Sequence, residues 1–184
     1  DAGTVELNER ELGDWSDAEI RKRVAFVPQN AFLFSRSIRE NIGFSDPVAA
    51  IEESRLTEGV REAVFEKDLE AFEQGLETIV GERGVTLSGG QRQRVALARA
   101  FYQPFGLLLL DDVLSAVDHT TEYQLVENIQ RRTQDFTTIV ASHRISAFRH
   151  AREILVLSEG RVVDRGNHAE LIQREGLYQD AWLL

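Results

Sequence analysis

Three short runs, residues 107–110, 138–141 and 154–157, are continuous in apolar character (LLLL, TIVA and ILVL). A strand buried on one face alternates apolar with polar residues, whereas a strand of a parallel sheet, covered on both faces, reads as an unbroken run. Helix-length stretches separate the three. Residues 120–132 place Leu125, Val126 and Ile129 on one helical face, and strand, helix, strand in that order predicts right-handed crossovers with helices on both faces of the sheet. The expected fold class is α/β with a mostly parallel sheet.

The flanking segments add smaller pieces. Thr4-Val5-Glu6-Leu7 alternates as a short half-buried strand, and Asn8-Glu9-Arg10 follows as a polar turn, so a small antiparallel piece is expected at the start. Ser16 with Glu19 forms a capping box for a helix over residues 17–23, before a strand over 24–27 that Pro28 ends. Between residues 38 and 76 the pattern is helical, with Val60 and Val64, then Leu69, Phe72 and Leu76, at spacings of three or four among charged positions. This predicts an amphipathic helical subdomain over about residues 38–105. Gly160 links the run ending at 157 to a strand over 161–164, and Asn167 with Glu170 caps a last helix. A chain of 184 residues, 42% hydrophobic, can bury one sizeable core and not two. Residues 1–184 are therefore expected to form one domain, or most of one.

Charge narrows the chemistry. The 31 acidic and 21 basic side chains leave a net charge of -10, which repels a polyphosphate backbone and disfavours general nucleic-acid binding. No apolar run approaches the roughly 20 residues of a membrane-spanning helix, and the first residues do not resemble a signal peptide, so the polypeptide reads as soluble. Without cysteine, and with His119, His143, His150 and His168 scattered, no structural metal is expected. The chain starts at Asp1 and contains no methionine; it is expected to be an excised piece of a longer protein.

The most specific stretch is Leu87-Ser88-Gly89-Gly90-Gln91, continuing RQRVALARA. Ser88 can cap a helix, but Gly89 and Gly90 cost that helix about 1 kcal/mol each relative to alanine. What the glycines permit is close approach of a phosphate to backbone N–H groups at the positive end of a helix. The run 107–110 ends in Asp111, a carboxylate at the end of a parallel strand, and ligand sites of open α/β sheets sit at such strand ends.

LSGGQRQRVALARA resembles the signature motif of the ATP-binding-cassette (ABC) ATPases, and five further elements occur in that family's order over nearly the whole chain. Val27-Pro28-Gln29 with Phe32-Leu33-Phe34 and Ile38-Arg39-Glu40-Asn41-Ile42 resembles the exporter Q-loop, which implies that Gln29 reaches magnesium and the attacking water. Val80-Gly81-Glu82-Arg83-Gly84 resembles the segment that meets the transmembrane domains in exporters. Residues 107–111 resemble the Walker B strand, with Asp111 supporting Mg2+ through water. The following position, usually glutamate, is Asp112, one methylene shorter, so hydrolysis at this chain's own site is expected to be slow. Ser115-Ala116-Val117-Asp118 resembles the D-loop, and Ser142-His143-Arg144 the switch region, with His143 on the γ-phosphate.

The resemblance implies a P-loop NTPase-like ABC ATPase core in which Ser88, Gly89, Gly90, Gln91 and Asp118 meet nucleotide, Asp112, His143 and Gln29 take part in hydrolysis, and Asp111 and Gln29 serve Mg2+. It also implies ATP as ligand, a second nucleotide-binding domain as partner, transmembrane domains of an exporter, and a place on the cytoplasmic face of the membrane. No Gly-x-x-x-x-Gly-Lys-Ser/Thr occurs, and Lys22 and Lys67, the only lysines, lie outside any such context. The Walker A part is thus missing, and the polypeptide alone is expected to bind ATP weakly. The P-loop strand is expected beside residues 107–110, leaving that strand an open edge. An intact signature beside Asp112 resembles the less active half of a heterodimeric exporter, although His143 is retained. Two other readings stand beside the exporter: a soluble ABC ATPase acting on nucleic acid or ribosomes, and a non-catalytic module that lends its signature to a partner.

Overall fold

In the computed structural model, residues 3–81, 84–132 and 135–183 are described. The chain begins with a hairpin, β1 (Glu6–Leu7) and β2 (Arg10–Glu11), turned through Asn8 and Glu9 at φ 52° and 62°. Val5 is exposed rather than half-buried. Helix α1 (Asp17–Arg21) starts at Ser16, whose side chain and that of Glu19 close a reciprocal capping box, and β3 (Val24–Val27) follows.

The helical region expected between 38 and 76 is present in pieces: α2 (Ile38–Ile42), α3 (Glu53–Glu62) and α4 (Glu66–Glu70), with single 3-10 turns at Val48–Ala50 and Gly75–Glu77. The breaks have local causes. Pro47 cannot continue a helix, and Val64 between α3 and α4 is held at φ 53°. Helix α5 (Gly89–Tyr102) then runs through the core, burying Val95, Leu97 and Ala98 completely. It meets α3 at backbone distance, for a Cβ on Gly59 would lie 2.8 Å from the Ala98 carbonyl oxygen.

Strands β4 (Leu107–Asp111) and β5 (Thr137–Ala141), joined through α6 (His119–Arg131), complete a parallel sheet in the order β3-β4-β5. Register pairs Ala25 with Leu108 and Val27 with Leu110, and Leu110 with Val140. This face packs into one cluster with Leu56 of α3, Leu97 of α5 and Leu125 of α6. Each fully buried leucine contributes about 1.5–3 kcal/mol. The other face holds the row Phe26, Leu109 and Ile139, with Phe26 57% and Ile139 56% exposed. Burial on both faces is therefore not found among the described residues, because the core helices share the Ala25 side. The 107–110 strand is also not an edge: β3 and β5 flank it, and they are the edges.

A second correction concerns residues 154–157. They form β6 (Ile154–Ser158), which pairs antiparallel with β7 (Arg161–Gly166) and does not join the parallel sheet. Glu159 and Gly160, at φ 49° and 74°, turn the chain straight back, so β6 finds its partner locally. Helices α7 (His168–Leu171), capped by Asn167 with Glu170, and α8 (Leu177–Leu183) follow, and Ile154, Leu171 and Tyr178 make a small separate core. Within the segment 80–84, Glu82 and Arg83 lie outside the described residues.

Candidate functional site

Parallel strands in register send their following loops out of the same sheet edge. Gln29 lies two residues beyond β3, Asp112 one beyond β4 and His143 two beyond β5, and the three side chains converge. Gln29 Nε2 donates to Asp112 Oδ2 at 3.1 Å. His143 Nδ1 stands 3.1 Å from Asp112 Oδ1, close enough for an ion pair when the ring is protonated. That oxygen is buried yet receives no aligned hydrogen bond. The Asp112 backbone has left the strand at φ 47°, its N–H held by the Ala141 carbonyl at 2.7 Å. Aspartate tolerates this left-handed conformation better than most residues, and such strain gathers at functional sites. Asp111 is exposed at the tip of β4, and the His143 ring is also exposed.

The glycine-rich stretch begins α5 as a capping box: Gln91 N donates to Ser88 Oγ at 3.2 Å, and Ser88 N to Gln91 Oε1 at 2.9 Å. Gln91 Nε2 also reaches Asp68 on α4 at 3.0 Å, and Arg94 holds the same carboxylate through Nε and Nη2 at 3.1 and 2.8 Å. The two glycines, alike in the sequence, differ here. A Cβ on Gly90 would stand 2.6 Å from the Ala116 carbonyl oxygen, so glycine is needed where α5 meets residues 115–118. A Cβ on Gly89 would meet only a guanidinium nitrogen of Arg92 at 4.0 Å. The chain's own packing does not require Gly89. It lines an open cleft of about 520 Å³ with Gln29, Asn30, Arg92, Ser115 and Ala116.

Asp118 caps α6, accepting from Thr121 N at 3.0 Å and Thr121 Oγ1 at 2.7 Å. The Thr121 hydroxyl first, and then its backbone N–H, hold the Asp118 carboxyl down to about 2 from an ordinary 3.8. Since the folded value is the lower one, the cap's stabilisation is full above the ordinary value and is lost as pH falls through about 2. A carboxyl-carbon NMR titration is expected to give Asp118 a midpoint near 2, and Thr121→Val is expected to move it up toward 3.8.

Two further residues join this region without any role having been read for them in the sequence. Arg144 donates through Nη1 to Glu122 Oε2 (2.5 Å) and to the Val117 carbonyl (3.3 Å), and through Nη2 to the Ser115 carbonyl (3.0 Å). Glu122 is buried and also accepts from the Ser146 hydroxyl. The available signal was an acidic residue at helical spacing from Leu125 and Ile129, on the face of α6 that enters the core.

A protein-family model described as ABC transporter matches residues 1–115. The chain belongs to the ABC transporter family. Among curated ABC proteins it is 44% identical, over 89% of its length, to the probable multidrug resistance ABC transporter ATP-binding/permease protein YheI of Bacillus subtilis, of which it covers 28%. To the multidrug resistance-like ATP-binding protein MdlA of Escherichia coli it is 41% identical over 97% of its length, covering 29% of that protein. To the ATP-dependent lipid A-core flippase of Sodalis glossinidius it is 39% identical over 96%, covering 30%. The ABC chain thus spans about three-tenths of the length of these relatives. Among solved structures, that of a bacterial Atm1-family ABC exporter with ATP bound aligns at TM-score 0.91 and 31% identity, over 99% of this chain and 32% of that one. The fold is accordingly the ABC ATPase fold of the P-loop NTPase class. Among the described residues no helix is long and apolar enough to cross a membrane.

The ABC family implies Mg2+. No group of three or more His, Cys, Asp or Glu able to hold a metal occurs among the described residues. Mg2+ asks for less, since it is commonly bound by one or two carboxylates and completed by water and phosphate oxygens. Asp111, exposed at the tip of β4, and the amide oxygen of Gln29, whose Nε2 is the atom bound to Asp112, offer such hard oxygen donors. The donor set fits.

Proposed function

We propose that this chain is the ATP-binding and hydrolysing domain of an ABC exporter, that it lends an intact signature to a partner domain, and that its own hydrolytic carboxylate is the shortened Asp112. The observation that carries the reading is Gly89: an open glycine at the start of a long helix, on a cleft shared with Gln29 and residues 115–116. Backbone N–H groups at that helix end attract a phosphate. Relatives named as ATP-binding/permease proteins support the same reading, and so does a structural neighbour with ATP bound.

In this scheme Ser88, Gly89, Gly90 and Gln91 face the nucleotide of the partner. In the chain's own site Asp112 orients the attacking water, Gln29 holds that carboxylate in place, and His143 reaches the γ-phosphate. Asp111 and Gln29 would hold Mg2+, which neutralises phosphate charge when bound. Asp118, besides capping α6, lies on the loop that crosses to the partner. The partner is a second nucleotide-binding domain, in a heterodimer, and transmembrane domains carry the pair on the cytoplasmic face of the membrane. These 184 residues contain no Gly-x-x-x-x-Gly-Lys-Ser/Thr, which favours a contributing role over independent turnover for the polypeptide alone.

The test is Gly89→Asp in the full-length protein, with ATP hydrolysis and thermal unfolding measured together. An acidic residue in the first turn of α5 suits the helix dipole, and space is open, so the melting temperature is expected to hold or rise slightly. Turnover is expected to fall about tenfold or more, because like charges about 4 Å apart repel by roughly 1–4 kcal/mol. Unchanged turnover would mean that the signature meets no phosphate.

A further inference from the structure

Helix α5 presents to the core, one turn past Gly90, a side chain whose polar work lies outside the helix. Gln93 is 3% exposed. Its Nε2 donates to the Gln29 carbonyl at 2.6 Å and to the Pro28 carbonyl at 3.2 Å. The amide has one orientation available, since the flipped form would set its oxygen against two carbonyl oxygens. Its Oε1 is then buried without a partner, a desolvation penalty that an apolar side chain of similar size would avoid. What offsets that penalty is the pair of donated bonds, both at the exit of β3.

The location matters. Strand β3 ends at Val27, Pro28 has no N–H, and the Gln29 side chain reaches Asp112. The bonds from Gln93 therefore grip the backbone between the end of the strand and the amide that touches Asp112. The same helix bears Gly89 at its start. We propose that Gln93 is a positioning residue that sets Gln29 against Asp112, tying the signature helix to the hydrolytic carboxylate of the same chain. This rests on the ATPase reading for its functional consequence, though not for the structural tie.

The experiment uses the full-length protein with Gln93→Met, which keeps the size and removes the donor. Amide hydrogen exchange over residues 29–34 is expected to quicken about tenfold, with protection of residues 107–111 unchanged. In ATP hydrolysis, kcat is expected to fall about fivefold to tenfold with KM held, and in a Gln29→Ala background Gln93→Met is expected to have no further effect. Unchanged exchange over residues 29–34 would overturn the proposal. So would loss of protection spread evenly over α5 and β4, which assigns Gln93 to packing, or an equal kcat loss in both backgrounds. If the native protein hydrolyses no ATP, the exporter reading fails, and the exchange data alone decide for or against Gln93.

Discussion

Asp112→Glu is expected to raise ATP turnover of the full-length protein by on the order of a hundredfold at this chain's own site. The carboxylate stands at the end of the central strand, held by Gln29 on one oxygen and approached by His143 on the other. Its neighbours are thus arranged for a carboxylate, and the substitution changes reach while keeping charge. Misplacement of a catalytic group by about 1 Å costs roughly a hundredfold, and one methylene is of that size. The substitution also has a structural cost, because glutamate tolerates φ near 47° less well than aspartate. That cost, about 1 kcal/mol, falls on folding and should appear as a small drop in melting temperature. The measurement is steady-state hydrolysis by the protein alone and with its candidate partner. Brisk native turnover that the substitution barely changes would make Asp112 an adequate carboxylate and remove the case for an unequal pair of sites.

Glu122→Leu is expected to destabilise the fold by about 3 kcal/mol, or roughly 10 °C in Tm for a domain of this size. Glu122 is buried against Arg144 and Ser146, with His119 Nδ1 3.8 Å from Oε2. Removing one member of a buried pair leaves the other uncompensated, at about 3–5 kcal/mol. The lower figure applies because the Arg144 side chain keeps 27% exposure and two carbonyl acceptors, those of Ser115 and Val117. Glu122→Leu with Arg144→Met is expected to recover most of the loss, since a fully apolar pair removes the stranded charge. Thermal unfolding of both single variants and the double one gives the coupling; additive effects would show that Glu122 and Arg144 are energetically independent.

Local chemistry was legible in the residues. The capping boxes at Ser16 and Asn167 follow from a hydroxyl or amide three positions before Glu, and both are present; Ser88, expected as a cap, closes a full box with Gln91. Ser37 with Glu40 carries the same pattern inside the longer motif, and it too closes a box. Strand positions were legible as well, but not strand partners: an unbroken apolar run says that a strand is apolar on both faces, not that both are covered. Thus β6 pairs with β7, and Phe26 and Ile139 face outward. At the candidate site the convergence of Gln29, Asp112 and His143 follows from three parallel strand ends, whereas the unequal roles of Gly89 and Gly90 depend on where the Ala116 carbonyl falls in space. Long-range pairs such as Gln93 with Gln29, or Glu122 with Arg144, have no periodicity to betray them.

The capping boxes also bear on the order of events as the chain folds. Nucleation is the slow and unfavourable step of helix formation, and α1, α2, α5 and α7 each carry their start signal within four consecutive residues. The parallel sheet has no such shortcut: Val24 must find Leu107 across the whole helical region, and such long loops close late. Helices α2 to α5 are therefore expected to assemble first, and the Gln29, Asp112 and His143 constellation, which needs all three strands, is expected among the last features to form.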